Sequence, residues 1–244
     1  LDAGLSDLSY RDASDPSLTG SRRNSLGAEL RFGLSEVADL TLGATGSTYD
    51  ADGPAPRRDT LKLAAGIAIA RPDGRVHLDI DSSKTEDGRR NGITIGRDFD
   101  LPTGRFSASL GAVRAASGTT YPTGMLRLRQ DLPQGSLDAL LSRAVASGDG
   151  DAETLQTLAV IGYSQPLSPL SSLSFSLTHA ASEETATGTS ERNTSLGLTL
   201  NRALTEDWGL DLGYRHRLQD QDTTGRADSD TVYVVLRRNF DLRF

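Results

Sequence analysis

The chain has 244 residues, 36% apolar and 5% aromatic, with 25 Gly, no Cys and a formal net charge of −7. The acidic balance and the scattered basic residues exclude a nucleic-acid platform. The lack of Cys excludes disulfides and thiolate metal sites, and no run approaches the roughly 18 apolar residues a membrane helix needs.

Residue-by-residue alternation is clearer than the mean hydropathy of −0.38. The chain opens with a weakly patterned strand, Ala3 to Tyr10, and a polar loop holding Asp15, Pro16, Gly20, Arg22 and Arg23. Leu26, Ala28, Leu30, Phe32 and Leu34 then alternate with Gly27, Glu29, Arg31 and Gly33. Period two at this length predicts a strand with one apolar face. After the turn 35–39 the pattern resumes with Leu40, Leu42 and Ala44, followed by a loop around Asp50, Pro54, Pro56 and Arg58.

The same unit recurs. Leu61, Leu63, Ala65, Ile67 and Ile69 share a parity opposite Lys62, and Pro72-Asp73-Gly74 turns the chain into Val76, Leu78 and Ile80 against His77, Asp79 and Asp81. A loop is expected over 84–90, then Ile93, Ile95, Phe99 and Leu101 alternate with Thr94, Gly96, Asp98 and Asp100. Pro102-Thr103-Gly104 leads to Phe106, Ala108, Leu110 and Ala112, and a loop at 116–122 leads to Leu126, Leu128 and Leu132 against Arg127, Arg129 and Asp131. Strands at 137–147 and 155–167 show no single apolar parity. Leu173, Phe175 and Leu177, then Leu196, Leu198 and Leu200, then Trp208, Leu210, Leu212 and Tyr214 complete three more, with long loops expected at 181–193 and 218–229. Pro, Gly, Asp and Ser punctuate the breaks.

The closing stretch runs to the last residue. Val232, Val234, Leu236, Phe240, Leu242 and Phe244 fall on one parity, and Tyr233, Arg237, Asn239, Asp241 and Arg243 on the other. At this point the chain resembles bacterial outer-membrane β-barrels, whose last strand commonly ends in Phe after alternating apolar residues. That resemblance implies an all-β fold: one closed antiparallel transmembrane β-barrel over residues 1–244. It would have about 14 strands, with short periplasmic turns and longer extracellular loops. It implies location in the outer membrane of a Gram-negative cell. The implied partners are outer-membrane lipid or lipopolysaccharide, the barrel-assembly machinery, and a periplasmic or secreted protein in some barrels. The chain starts without a signal peptide, so a mature form or an excised domain with a further N-terminal segment is expected. A soluble sandwich would connect strands by Greek-key crossovers instead of alternating short and long links, and a solenoid would show a regular repeat.

The inward parity then predicts the pore-lining residues Glu29, Arg31, Lys62, His77, Asp79, Asp81, Asp98, Arg127, Arg129, Asp211, Arg215 and Arg237. Trp208, Tyr214, Phe240 and Phe244 are expected at the membrane interface, and Arg97, Arg202 and Arg238, on the lipid parity near short turns, are placed to reach headgroups. His77, His179 and His216 share no metal-ligand spacing, and no nucleophile elbow, phosphate loop or dinucleotide fingerprint occurs. His77 beside Asp79 and Asp81 is the one local acid–His arrangement. Neither an enzyme nor a cofactor is expected. Two functions stay open: a pore for small polar solutes, or a membrane anchor or secretion barrel serving a partner or an N-terminal periplasmic domain.

Overall fold

The structure is a computed structural model that describes residues 2–8, 21–51, 57–85, 88–146, 153–222 and 225–238. Its first strands are β1 (Asp2–Leu8), β2 (Ser21–Ser35), β3 (Ala38–Ala51), β4 (Arg58–Arg71), β5 (Gly74–Thr85), β6 (Gly88–Leu101) and β7 (Gly104–Arg114). They are followed by β8 (Thr120–Leu132), β9 (Gly135–Ala146), β10 (Thr154–Ser168), β11 (Ser171–Glu184), β12 (Ser190–Ala203), β13 (Trp208–Gln221) and β14 (Gly225–Arg238). The sheet runs in chain order from β1 to β14. Among the described residues no pairing joins β14 back to β1, so the described sheet is open and does not show the closure expected from the sequence.

Several connections are tighter than the sequence suggests. β4 and β5 meet across Pro72-Asp73, and β8 and β9 across Pro133-Gln134. Proline fixes the φ of the first turn residue, and Gly74 and Gly135 follow at φ 134° and 145°, a region that favours glycine. The loops expected at 84–90, 181–193 and 218–229 are largely strand: β5 reaches Thr85, β12 begins at Ser190 and β13 reaches Gln221. Backbone ladders continue past the apolar segment because pairing uses N–H and C=O groups, which do not depend on side-chain polarity.

The chain divides into two compact units. The first comprises Leu1–Arg97, Ser109–Gly124 and Val145–Thr154. In it β1 to β5 form successive antiparallel pairs, with a register shift between Gly33 and Ser35 in the β2–β3 ladder. The second comprises Asp98–Ala108, Met125–Ala144 and Leu155–Phe244, and in it β11 to β14 pair in the same way.

Register converts the alternation into faces, since directly opposed residues point the same way. In the first unit Leu30, Leu42, Ala65 and Ile80 form one cross-strand row, and the next row is Arg31, Thr41, Gly66 and Asp79. In the second unit Leu173, Leu200, Leu212 and Val234 form one row, and Ser174, Thr199, Gly213 and Tyr233 the next. Each unit therefore has an apolar face and a polar face. The apolar face is solvent-exposed: Leu30 is 59% exposed, Leu110 72% and Val232 78%. Among the described residues the only buried apolar side chains are Ala115, Val145 and Leu155, and no large side chain is fully buried.

Candidate functional site: the polar face

On the first unit, the rows place six sequence-predicted residues on one face. Glu29, Gly43, Ala64 and Asp81 form a row beside that of Arg31 and Asp79. Lys62 lies opposite Thr45 and Ser83, and His77 opposite Ala68. Large polar side chains here lie over small residues of the neighbouring strand. A Cβ at Gly66 would strike the Asp79 carboxylate, one at Gly92 that of Asp81, and one at Gly96 the His77 ring. His77 Nε2 stands 3.8 Å from Asp79 Oδ2. Among the described residues no group of His, Asp and Glu converges in metal-binding geometry.

On the second unit, Asp211 and Arg237 form an ion pair, with the Asp211 side chain only 13% exposed. Arg129 Nε donates to Asp138 Oδ1 at 2.9 Å, and Arg105 pairs with Asp100. Arg215 lies over the Tyr233 ring at 6.0 Å, and the Tyr233 hydroxyl is 2.9 Å from Thr199 Oγ1. The tyrosine ring occupies the space above Gly213, where a Cβ would collide with it. Arg127 is exposed and Asp98 half-buried.

The apolar face carries its charges at the ends of its greasy runs. Arg97 grips the Asp73 carboxylate with two bonds, 2.9 and 2.7 Å, and Arg238 sits 5.2 Å over the Trp208 ring. Phe99 and Phe106 stack at 5.9 Å near the same kind of turn. On β2 the apolar run extends from Leu26 to Leu34, whereas on β12 it covers only Leu196 to Leu200, between Thr194 and Arg202. Above that shorter run the Tyr214 hydroxyl donates to Asp230 Oδ1 at 2.6 Å, and His216 Nδ1 is 2.9 Å from the same oxygen. Phe240 and Phe244, expected at the interface, lie outside the described residues.

No protein-family model matches the chain, and no curated protein sequence matches it. Among solved structures, a bacterial polysaccharide outer membrane secretin is 13% identical over 98% of this chain and 97% of its own, with a TM-score of 0.31. The NanC porin is 9% identical over 93% and 96% of the two chains, with a TM-score of 0.30. The translocator domain of the autotransporter NalP from Neisseria meningitidis is 18% identical over 91% and 81%, with a TM-score of 0.29.

Two groups of residues escaped the sequence reading. The first is a buried polar cluster in the first unit, where Arg90 and Glu153 are only 18% and 11% exposed and stand 3.9 Å apart. Arg90 donates to the Val145 carbonyl at 3.2 Å, and Glu153 accepts the Ala116 N–H at 2.9 Å. These residues are far apart in sequence, and only the broken alternation near 145–155 hinted at anything unusual there. The second is His216, which reads as a polar-face or loop residue but stands opposite Leu196 on the apolar face. Outside the strands, Asp222 accepts the Ser190 N–H at 2.7 Å, which together with the Ser190 hydroxyl holds its carboxyl below the usual Asp range, assisted by Arg192.

Proposed function

We propose that the chain closes β14 onto β1 to form a fourteen-stranded outer-membrane β-barrel that conducts small polar solutes through its polar interior. The supporting observation is the inversion of the usual burial pattern: the apolar face is solvent-exposed and no apolar core exists among the described residues. A chain of this size that folded in water would bury its Leu, Ile and Val. Lipid tails supply the missing apolar surroundings, and a sheet in lipid has to close because an open edge would leave backbone groups unpaired. The Leu26–Leu34 run is ~26 Å along the strand at about 3.3 Å per residue. Tilted by roughly 40°, that is ~20 Å, near the apolar band of outer-membrane barrels.

On this reading Glu29, Arg31, Lys62, His77, Asp79, Asp81, Asp98, Arg127, Arg129, Asp211, Arg215 and Arg237 line the interior. Trp208 and Arg238 mark one membrane boundary, while Tyr214, with its hydroxyl on Asp230, marks the other; Phe240 and Phe244 take their places at the closing strand. Barrels of about eight strands fill their interior with side chains and those of sixteen to eighteen leave a channel. Fourteen strands with glycines and serines facing in leave a narrow wet passage. Outer-membrane lipid surrounds the barrel, and the barrel-assembly machinery inserts it.

The test is reconstitution. The folded chain should require detergent or lipid, migrate faster on gels before heating than after, and conduct ions in planar bilayers. A monodisperse detergent-free protein would overturn the barrel. A heat-modifiable barrel that never conducts would overturn the pore and favour a membrane anchor or secretion barrel with a periplasmic or secreted partner.

A further inference from the structure

Antiparallel order puts the β1–β2, β3–β4 and β5–β6 links at one end of the first unit, which on the barrel reading is the extracellular end. The apolar face changes character as it nears that end. One cross-strand row consists of Ala28, Ala44, Leu63 and Ser82, and the next row outward of Leu26, Gly46, Leu61 and Lys84. Each of these rows ends on β5 in a polar group, the second in an ammonium. A second cation comes from β6: Arg89 shares the parity of Ile93 and Ile95, and its Nε donates to Ser82 Oγ at 3.1 Å. Lys84 and Arg89 are both exposed. The Asp59 carboxylate, on the same face of β4, is engaged by Thr48 at 2.9 Å and Arg57 at 3.4 Å.

A groove of about 470 Å³ opens here, with Leu61 and Leu63 contributed by β4 and Ser82, Lys84 and Arg89 by β5 and β6. Among the described residues no carboxylate lines it. Beside it the apolar face is notched: a Cβ at Gly46, between Leu26 and Leu61, would meet nothing within 4 Å. A hydrocarbon chain lying in that notch gains dispersion contacts from the leucines on both flanks. Two cations and a hydroxyl next to an apolar strip select an anionic headgroup that carries hydrocarbon. Arg grips a phosphate as a fork of donors and Lys as a point charge. Long basic side chains at the end of a lipid-facing row lift that charge to headgroup level while their stems stay on apolar surface.

We propose that the outer end of the β4–β6 apolar face is a binding site for a phosphate-bearing lipid of the outer leaflet, with Lys84 and Arg89 on the phosphate and an acyl chain in the notch between Leu26 and Leu61. The inference rests on the barrel reading, which puts this face in lipid, and it is independent of whether the interior conducts.

The experiment uses the full chain folded in non-ionic detergent, with lipid retention read by native mass spectrometry. The probes are diphosphoryl lipid A and the same lipid with both phosphates removed. The phosphorylated form should be retained at concentrations roughly tenfold lower, the order expected from two cations beside an anionic headgroup. K84Q/R89Q should remove most of that difference while keeping the heat-modifiable fold, and K84R/R89K should preserve it. Arg71, exposed on the same parity at the opposite end of β4, supplies the control, and R71Q should leave retention unchanged. Equal retention of the two lipids, an unchanged preference in K84Q/R89Q, or an equal loss in R71Q would overturn the site and leave the barrel standing. Inorganic phosphate that displaces the lipid at matching concentration would show a free-oxyanion site and overturn the lipid assignment. A chain that is monodisperse without detergent would sink the barrel, and this site with it.

Discussion

Replacing Leu30 by Arg distinguishes a lipid-facing surface from a water-facing one, because the two give different effects. Leu30 is 59% exposed in the middle of the β2 apolar run, opposite Leu42 in the row that continues to Ala65 and Ile80. Were this face in water, an exposed Leu-to-Arg change would shift stability by no more than about 0.5 kcal/mol and would improve solubility. In lipid, an Arg near the midplane costs about 2–4 kcal/mol. That is a loss of roughly 30- to 900-fold in the folded-to-unfolded ratio. The adjacent residue supplies the control. Arg31 lies on the polar row with Thr41, Gly66 and Asp79, and Arg31→Ser is expected to change stability by less than about 1 kcal/mol. Urea titration of folding into lipid vesicles, read by the heat-dependent gel shift, measures both variants. If L30R folds as well as the parent while R31S does not, the assignment of the two faces is wrong.

Three further outcomes follow from particular contacts. Gly213→Ala should be destabilised by about 1–3 kcal/mol through collision with the Tyr233 ring, and Tyr233→Ala in the same chain should recover most of the loss, a coupling readable by a double-mutant cycle in urea. Asp211→Asn should cost about 1 kcal/mol, the modest figure reflecting the exposure of Arg237, and high salt should shrink it. Asp222 has a folded-state pKa below its unfolded one, so its contribution is present above the ordinary Asp range and disappears as pH falls through the folded value. Asp222→Asn should therefore be less stable than the parent at neutral pH, and the difference should vanish in acid; a gap that persists at low pH would refute the role of ionisation.

Much of the architecture was legible in the residues because a period of two leaves no freedom of face. Once Leu26 to Leu34 are placed, Glu29 and Arg31 necessarily share the opposite side, and the ladders carry that side across to Lys62, Asp79 and Asp81. Strand ends were less legible. The loop expected at 84–90 begins at Lys84, yet Lys84 still pairs with Leu61 of β4 and β5 runs on to Thr85, since ladder bonds are indifferent to the side chains they carry. Contacts between particular side chains of different strands were not legible at all. That Gly96 makes room for His77, or Glu153 reaches Ala116, depends on which residues the strands and connections bring together, and a single sequence does not specify that.

The unequal apolar runs also bear on the proposed bilayer setting. The run on β2 spans nine residues but that on β12 only five, or ~26 Å against ~13 Å along the strand. Lipid of uniform thickness cannot match both. Mismatch costs fractions of a kcal/mol per Å, and the bilayer relieves a short run by thinning. Acyl chains beside β12 would then be shortened and disordered relative to those beside β2. Reconstitution should accordingly become less efficient as lipid chains lengthen, with the compressed annulus on the β12 side limiting the choice of membrane.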